Sequence, residues 1–244
     1  DSIKNTNTLT VDNCTFTNTF VGTKGYGSYL TGKIIIHTSI LNNSEVRGYY
    51  NSGEEIQLDN CTVVGSSFYK AHRNQFKIFN SVIRGSVFNM QDYSSYKVIF
   101  DGSKIYNSQF TGEGELDINQ SILVDSPVNS SSINVTISNS VISFDGATTP
   151  VGVNTRKATI TNTLITGRGA GTAIDINDSN NYQSTISNSV ITNNTIGITV
   201  TGSQGEYDFQ NNNFSNNKQY AIKNESNKNI TATSNYWSTA EEAA

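Results

Sequence analysis

Arg47, Tyr49, Tyr50, Tyr69, Lys70, His72, Arg73, Tyr93 and Tyr96 put most of the reactive or ligand-gripping side chains of this chain into its first hundred residues. Eight of the 12 tyrosines fall between Tyr26 and Tyr106. Tyrosine pairs inside glycine-containing stretches such as Arg47-Gly48-Tyr49-Tyr50-Asn51-Ser52-Gly53 are poorly suited to core packing, so they are expected at the surface. A phenol ring offers a flat apolar surface to the C–H face of a pyranose, and an Arg fork or side-chain amide can fix hydroxyls or a carboxylate. These residues are therefore the candidate sugar-binding set. The same patch permits a second chemistry. A polysaccharide lyase needs a base beside a uronate carboxylate and a cation for the resulting enolate, and Arg47, Lys70, His72 and Arg73 are the residues available for both tasks. A glycosidase would instead need two carboxylates roughly 5 to 9.5 Å apart, for which Glu45, Glu54, Glu55 and Asp92 are the candidates. A passive, stiff spacer is the third reading.

Such residues need a scaffold, and the scaffold is legible as a repeat. A hexad of the form apolar, any, Asn, small, any, apolar begins at Val11, Ile35, Leu58, Ile78, Phe100, Ile118, Ile137, Ile160, Ile186, Phe209 and Ala232. A unit this short cannot bury its apolar side alone, so neighbours must stack. The third position holds Asn in most copies, with His37, Gly102, Gln120 and Ser234 among the exceptions. Asn tolerates the left-handed backbone needed where two short strands meet at an angle. Stacked at about 4.8 Å, these amides would form an Asn ladder. Positions one and six should face inward, followed by a second inward row at Phe20, Val46, Phe68, Phe88, Phe110, Val128, Val151, Ile174, Ile198 and Ile222. The outward position after each gives Val21, Arg47, Tyr69, Asn89, Thr111, Asn129, Gly152, Asp175, Thr199 and Lys223. His37 is then a structural ladder residue, Asp12 and Asp59 face solvent, and the Asn-X-Ser/Thr matches arise from the repeat itself.

The fold class that follows is all-β: a right-handed parallel β-helix of about eleven coils, three strand segments per coil, with no helical periodicity. The pattern resembles the pectin-lyase-like superfamily over essentially the whole chain. That resemblance implies a fold and leaves function open. The Asn-Thr-Asp, paired-Asp and Gly-His-Gly elements of polygalacturonases are missing, as is the Arg-X-Pro-X-X-Arg element of pectate lyases. The fold-level resemblance to β-helical regions of bacterial surface adhesins implies a secreted or cell-surface module whose partner is a polysaccharide or surface glycan. Asn235-Tyr236-Trp237-Ser238 resembles an element that closes such regions, which places the β-helix domain at 1–237 and the start of a truncated cap or linker at 238–244.

Composition narrows the partners. Charged residues make up 15% of the chain and the formal net charge is -4, so no basic stripe is available for nucleic acid or anionic lipid. No apolar run approaches membrane-spanning length. Cys14 and Cys61 occupy fourth positions two coils apart, beyond disulfide reach, and are expected as two buried free thiols. Asp175-Ile176-Asn177-Asp178 could lend oxygen ligands to calcium, but acidic turn residues are usually solvated, and no cofactor or zinc site is expected.

Overall fold

The structure is a computed structural model that describes residues 8–22, 32–47, 55–69, 75–90, 97–130 and 132–238. The chain groups into two compact units, Asp1–Ser121 and Ile122–Ala244. Each is a parallel β-solenoid with three sheets, here A, B and C in the order the chain visits them. In the first unit sheet A runs Thr8–Asp12, Lys33–His37, Glu55–Asp59, Gln75–Phe79, Lys97–Asp101 and Gly114–Asn119. Sheet B runs Thr15–Thr17, Ile40–Asn42, Thr62–Val64, Val82–Arg84 and Lys104–Tyr106. Sheet C runs Phe20–Gly22, Glu45–Arg47, Ser67–Tyr69, Val87–Met90 and Gln109–Gly112. The second unit repeats this plan, with Ile133–Ser138 opening its sheet A, Ile122–Val124 its sheet B and Val128–Asn129 its sheet C.

Register follows from period-two alternation. On sheet A, Val11, Ile36, Leu58, Ile78, Phe100 and Ile118 align strand to strand, and from Ile36 onward all are buried. On sheet C the inward column is Val21, Val46, Phe68, Phe88 and Phe110. Phe68 stacks on Phe88 at 4.3 Å and Phe88 on Phe110 at 5.0 Å, while Phe76 and Phe100 meet them edge-on from sheet A. Burying one such ring contributes roughly 2–3 kcal/mol, and ring stacking adds to it.

Four positions differ from the sequence reading by slippage along a strand. In the second coil the inward residues are Ile36 and Leu41, not Ile35 and Ile40, and Ile40 is exposed. Val21 and Val153 take the inward places assigned to Phe20 and Val151. The cause in the second coil is the run Ile34-Ile35-Ile36, which offers an apolar residue at either register, so side-chain type alone does not fix the face. With Ile36 facing inward, His37 lies off the turn column. It aligns with Asp12 and Asp59 on the outer face, its Nδ1 3.4 Å from Asp59 Oδ2, and Thr38 (φ 48°) occupies the left-handed turn position.

That turn column has the backbone the sequence demands: Asn13, Asn60, Asn80, Gly102 and Gln120 in the first unit, and Asn139, Asn162, Asn188, Asn211 and Ser234 in the second, all have positive φ. Its side chains, however, are exposed. Asn162 does donate to Asn139 Oδ1 at 3.4 Å. The ladder that satisfies the interior is the next residue along. Cys61 N–H donates to Ser81 Oγ, Ser81 N–H to Ser103 Oγ and Ser103 N–H to Ser121 Oγ, at 3.0 to 3.2 Å. Each of these hydroxyls donates in turn to the carbonyl two residues before it. A hydroxyl can accept and donate at once, and this arrangement answers the N–H and C=O groups that a buried bend would otherwise leave unpaired. A second bend five residues on repeats the device. Asn43, Gly65, Gly85 and Asn107 have positive φ there, and Ser44, Ser66, Ser86 and Ser108 form the hydroxyl column.

Both cysteines are free, but only Cys61 is buried; Cys14 is exposed. Cys61 Sγ lies 3.3 Å from Ile36 O in the coil before it, whereas Cys14 belongs to the first described coil. Burial pushes the Cys61 thiol above its ordinary pKa.

Candidate functional site

The expected contact surface starts on the outer face of sheet C in the first unit. Gly22, Arg47, Tyr69, Asn89 and Thr111 align there on successive strands. Gly22 replaces the expected Val21 in this row, and a Cβ at that position would lie 1.9 Å from Arg47 O. Only glycine lets the strand Glu45–Arg47 approach so closely. Arg47 and Tyr69 are direct register partners and both are exposed, Tyr69 at 39%. A guanidinium and a phenol thus stand side by side on adjacent strands, about 4.8 Å apart at the backbone. Arg47 Nη1 is 3.6 Å from Glu45 Oε1, a loose contact at the exposed surface that leaves the fork free to exchange partners.

Tyr49, Tyr50, Lys70, His72, Arg73, Tyr93 and Tyr96 lie outside the described residues, as do Glu54 and Asp92. In sequence they fall within 48–54, 70–74 and 91–96, each of which follows a sheet C strand and precedes a sheet A strand. The described carboxylates of the glycosidase reading are otherwise engaged. Glu55 sits on sheet A, where Lys33 (2.8 Å) and Lys77 (2.5 Å) both reach it. Its carboxyl is partly desolvated, which alone would raise its pKa, but the two ammonium groups outweigh that and hold it below the ordinary carboxylate value.

Both aspartates of the possible calcium turn have hydrogen-bond partners within the protein. Asp178 is fully buried and accepts the Asn180 and Tyr182 N–H groups at 2.7 and 2.6 Å. Asp175 is on sheet C, within 3.5 Å of Thr201 Oγ1. Among the described residues, no group of three His, Cys, Asp or Glu side chains could hold a metal ion.

Sequence reading also passed over the charged outer face of sheet A in the first unit, where Lys97 pairs with Asp117 at 2.5 Å. Extending the hexad three residues upstream would have found it, since Lys33, Glu55, Lys97 and Glu115 share one register row.

Parallel pairing in three sheets, with a left-handed residue at each bend, decides the architecture. The fold is a parallel β-helix. No protein-family model and no curated protein sequence matches the chain. Among solved structures, it is similar to a mutant tailspike protein of E. coli bacteriophage HK620 in complex with a pentasaccharide, at 13% identity and TM-score 0.47. That match covers 95% of this chain, which spans 55% of the tailspike chain. The A-module of a mannuronan C-5 epimerase from Azotobacter vinelandii matches at 13% identity and TM-score 0.35, over 96% of this β-helix and 91% of that module. A mannuronic acid specific polysaccharide family 6 lyase from human gut microbiota matches at 9% identity and TM-score 0.30, over 90% and 78% of the respective chains.

Proposed function

We propose that this β-helix is a carbohydrate-binding or adhesive module of a larger secreted or cell-surface bacterial protein, holding a polysaccharide on the outer face of sheet C in its first unit. The observation that carries the reading is the exposed Arg47–Tyr69 pair in direct register. The Tyr69 ring supplies the apolar platform for a sugar ring, and Arg47 supplies the fork for a hydroxyl pair or carboxylate on the next residue of the glycan. Tyr49, Tyr50, Lys70, His72, Arg73, Tyr93 and Tyr96 follow the sheet C strands Glu45–Arg47, Ser67–Tyr69 and Val87–Met90 in sequence and extend the set. A repeating ligand suits a repeating surface, because each strand step offers the next sugar a new contact.

Retention on immobilised polysaccharides tests this directly. Tyr69→Ala or Arg47→Ala should each weaken retention about tenfold, the loss of roughly 1.4 kcal/mol, with the fold intact by circular dichroism. Retention unchanged in both variants, or no retention of any glycan by the parent chain, overturns the binding reading in favour of the spacer. Appearance of unsaturated uronate products, abolished by His72→Ala or Arg73→Ala, would instead establish a lyase.

A further inference from the structure

A groove of about 410 Å³ opens on sheet A of the second unit, lined chiefly by Asn181, Gln183, Gln204, Glu206, Lys228 and Asn229. Its volume lies within the range of small-ligand sites. Three successive strands, Gln183–Ser187, Glu206–Gln210 and Ile230–Thr231, form its floor, and the turns before them form its rim.

The rim is built rigidly. Asp178, with no exposed surface, accepts two backbone N–H groups of its own turn through its carboxylate. Its carbonyl accepts the Gln204 N–H at 3.2 Å, which ties the 177–182 and 201–205 turns together. Glu206 N–H then donates to Tyr182 O at 2.9 Å. The Tyr207 hydroxyl, buried beneath, donates to Gly202 O at 3.1 Å. Gly205 completes the clamp, since a Cβ there would lie 2.7 Å from both Asp178 Oδ2 and the Tyr207 hydroxyl. On the opposite rim, Asn224 bonds Lys228 O and Ser226 N–H, and Ser226 Oγ accepts the Lys228 N–H. Preorganised rims of this kind hold polar side chains in place before a ligand arrives.

We infer that this groove binds a short neutral oligosaccharide through its hydroxyl groups. Four side-chain amides line it, and each amide both donates and accepts, as a hydroxyl does. Asp208 is already fixed, its two oxygens accepting Gln210 Nε2 at 2.6 and 2.8 Å. Glu206 is exposed and stands beside it on the same strand face, able to accept a pair of vicinal hydroxyls. Two carboxylates against the single ammonium of Lys228 make the groove net negative, which disfavours uronates and phosphates. Tyr207 is too buried to serve as a stacking platform, so affinity must come from hydrogen bonds and stays weak, on the order of 1 mM. None of this rests on Arg47 or Tyr69, which belong to the first unit.

Titration of the isotope-labelled full chain with maltotriose, mannotriose and galactotriose, read by amide NMR shifts, tests the inference. At least one of the three should give saturable shifts centred on residues 181–183, 204–208 and 228–231. Glu206→Gln should weaken that binding at least tenfold and Lys228→Ala should not abolish it, whereas Tyr69→Ala should leave it unchanged. The inference fails if no neutral trisaccharide saturates, if a glucuronic acid trisaccharide binds as tightly, or if calcium chloride alone reproduces the shifts. It fails equally if Glu206→Gln, folded by its spectrum, binds as well as the parent.

Discussion

Ser103 shows how much one hydroxyl can carry in this chain. Its Oγ accepts the Ser81 N–H and lies within bonding distance of the Ile78 and Asp101 carbonyls, all in a buried bend. Ser103→Ala leaves that N–H without an acceptor and should cost about 1–3 kcal/mol in urea denaturation. Thr38 is the opposite kind of residue, a β-branched side chain in left-handed backbone with φ 48°, where Asn or Gly would be at ease. Asp175 adds a pH signature. Burial, reinforced by the charge of Glu225 and opposed by the Thr201 hydroxyl, raises its carboxyl above the ordinary value. The native state therefore binds more protons than the unfolded chain between those two pKa values, and stability falls as pH rises through that window. Asp175→Asn should accordingly raise the melting temperature at pH 7 and give no gain at pH 3, below the unfolded value.

At the scale of elements, three-residue strands are too short to hold by their own ladder bonds, and the columns between them do the holding. The stack Phe68, Phe88 and Phe110 ties three sheet C strands together, with Phe100 closing it from sheet A. Phe88 is its centre and is fully buried. Phe88→Ala should cost about 3–5 kcal/mol, and Phe88→Leu clearly less, by equilibrium denaturation. Because the strand that carries Phe68 also carries Tyr69 on its outer face, in register with Arg47 on the neighbouring strand, the Phe88→Ala variant should also weaken glycan retention at temperatures where the chain is still folded. The paired charges of sheet A play a different part: Glu55 between Lys33 and Lys77 links three neighbouring strands across their outer face.

Across the molecule, every described strand pairs with strands about twenty residues away, and sheet pairings close no tight hairpins. Contacts of that separation form only after chain entropy has been lost, so refolding should be slow. The single tryptophan, Trp237, stacks on Phe214 at 5.0 Å and reports on the last described coil. Its fluorescence after dilution from urea should recover over seconds or longer; recovery in milliseconds would contradict a folding reaction governed by non-local parallel pairing.

The residues alone determined the repeat, its parallel stacking and the left-handed bends, because a period near 22 residues and an Asn or Gly at the bend admit few other backbones. They also pointed to Arg47 and Tyr69 as neighbours, since both sit at the same step of the repeat. What they could not decide was register in the Ile34-Ile35-Ile36 run, where every option is apolar, or which of two adjacent small polar columns faces the interior. They did not reveal the second bend either, although Ser66, Ser86 and Ser108 keep a constant five-residue offset from the first. The groove around Glu206 was beyond sequence reading for a plain reason: its walls come from three turns some twenty residues apart, and only the lateral alignment of strands brings them to one place.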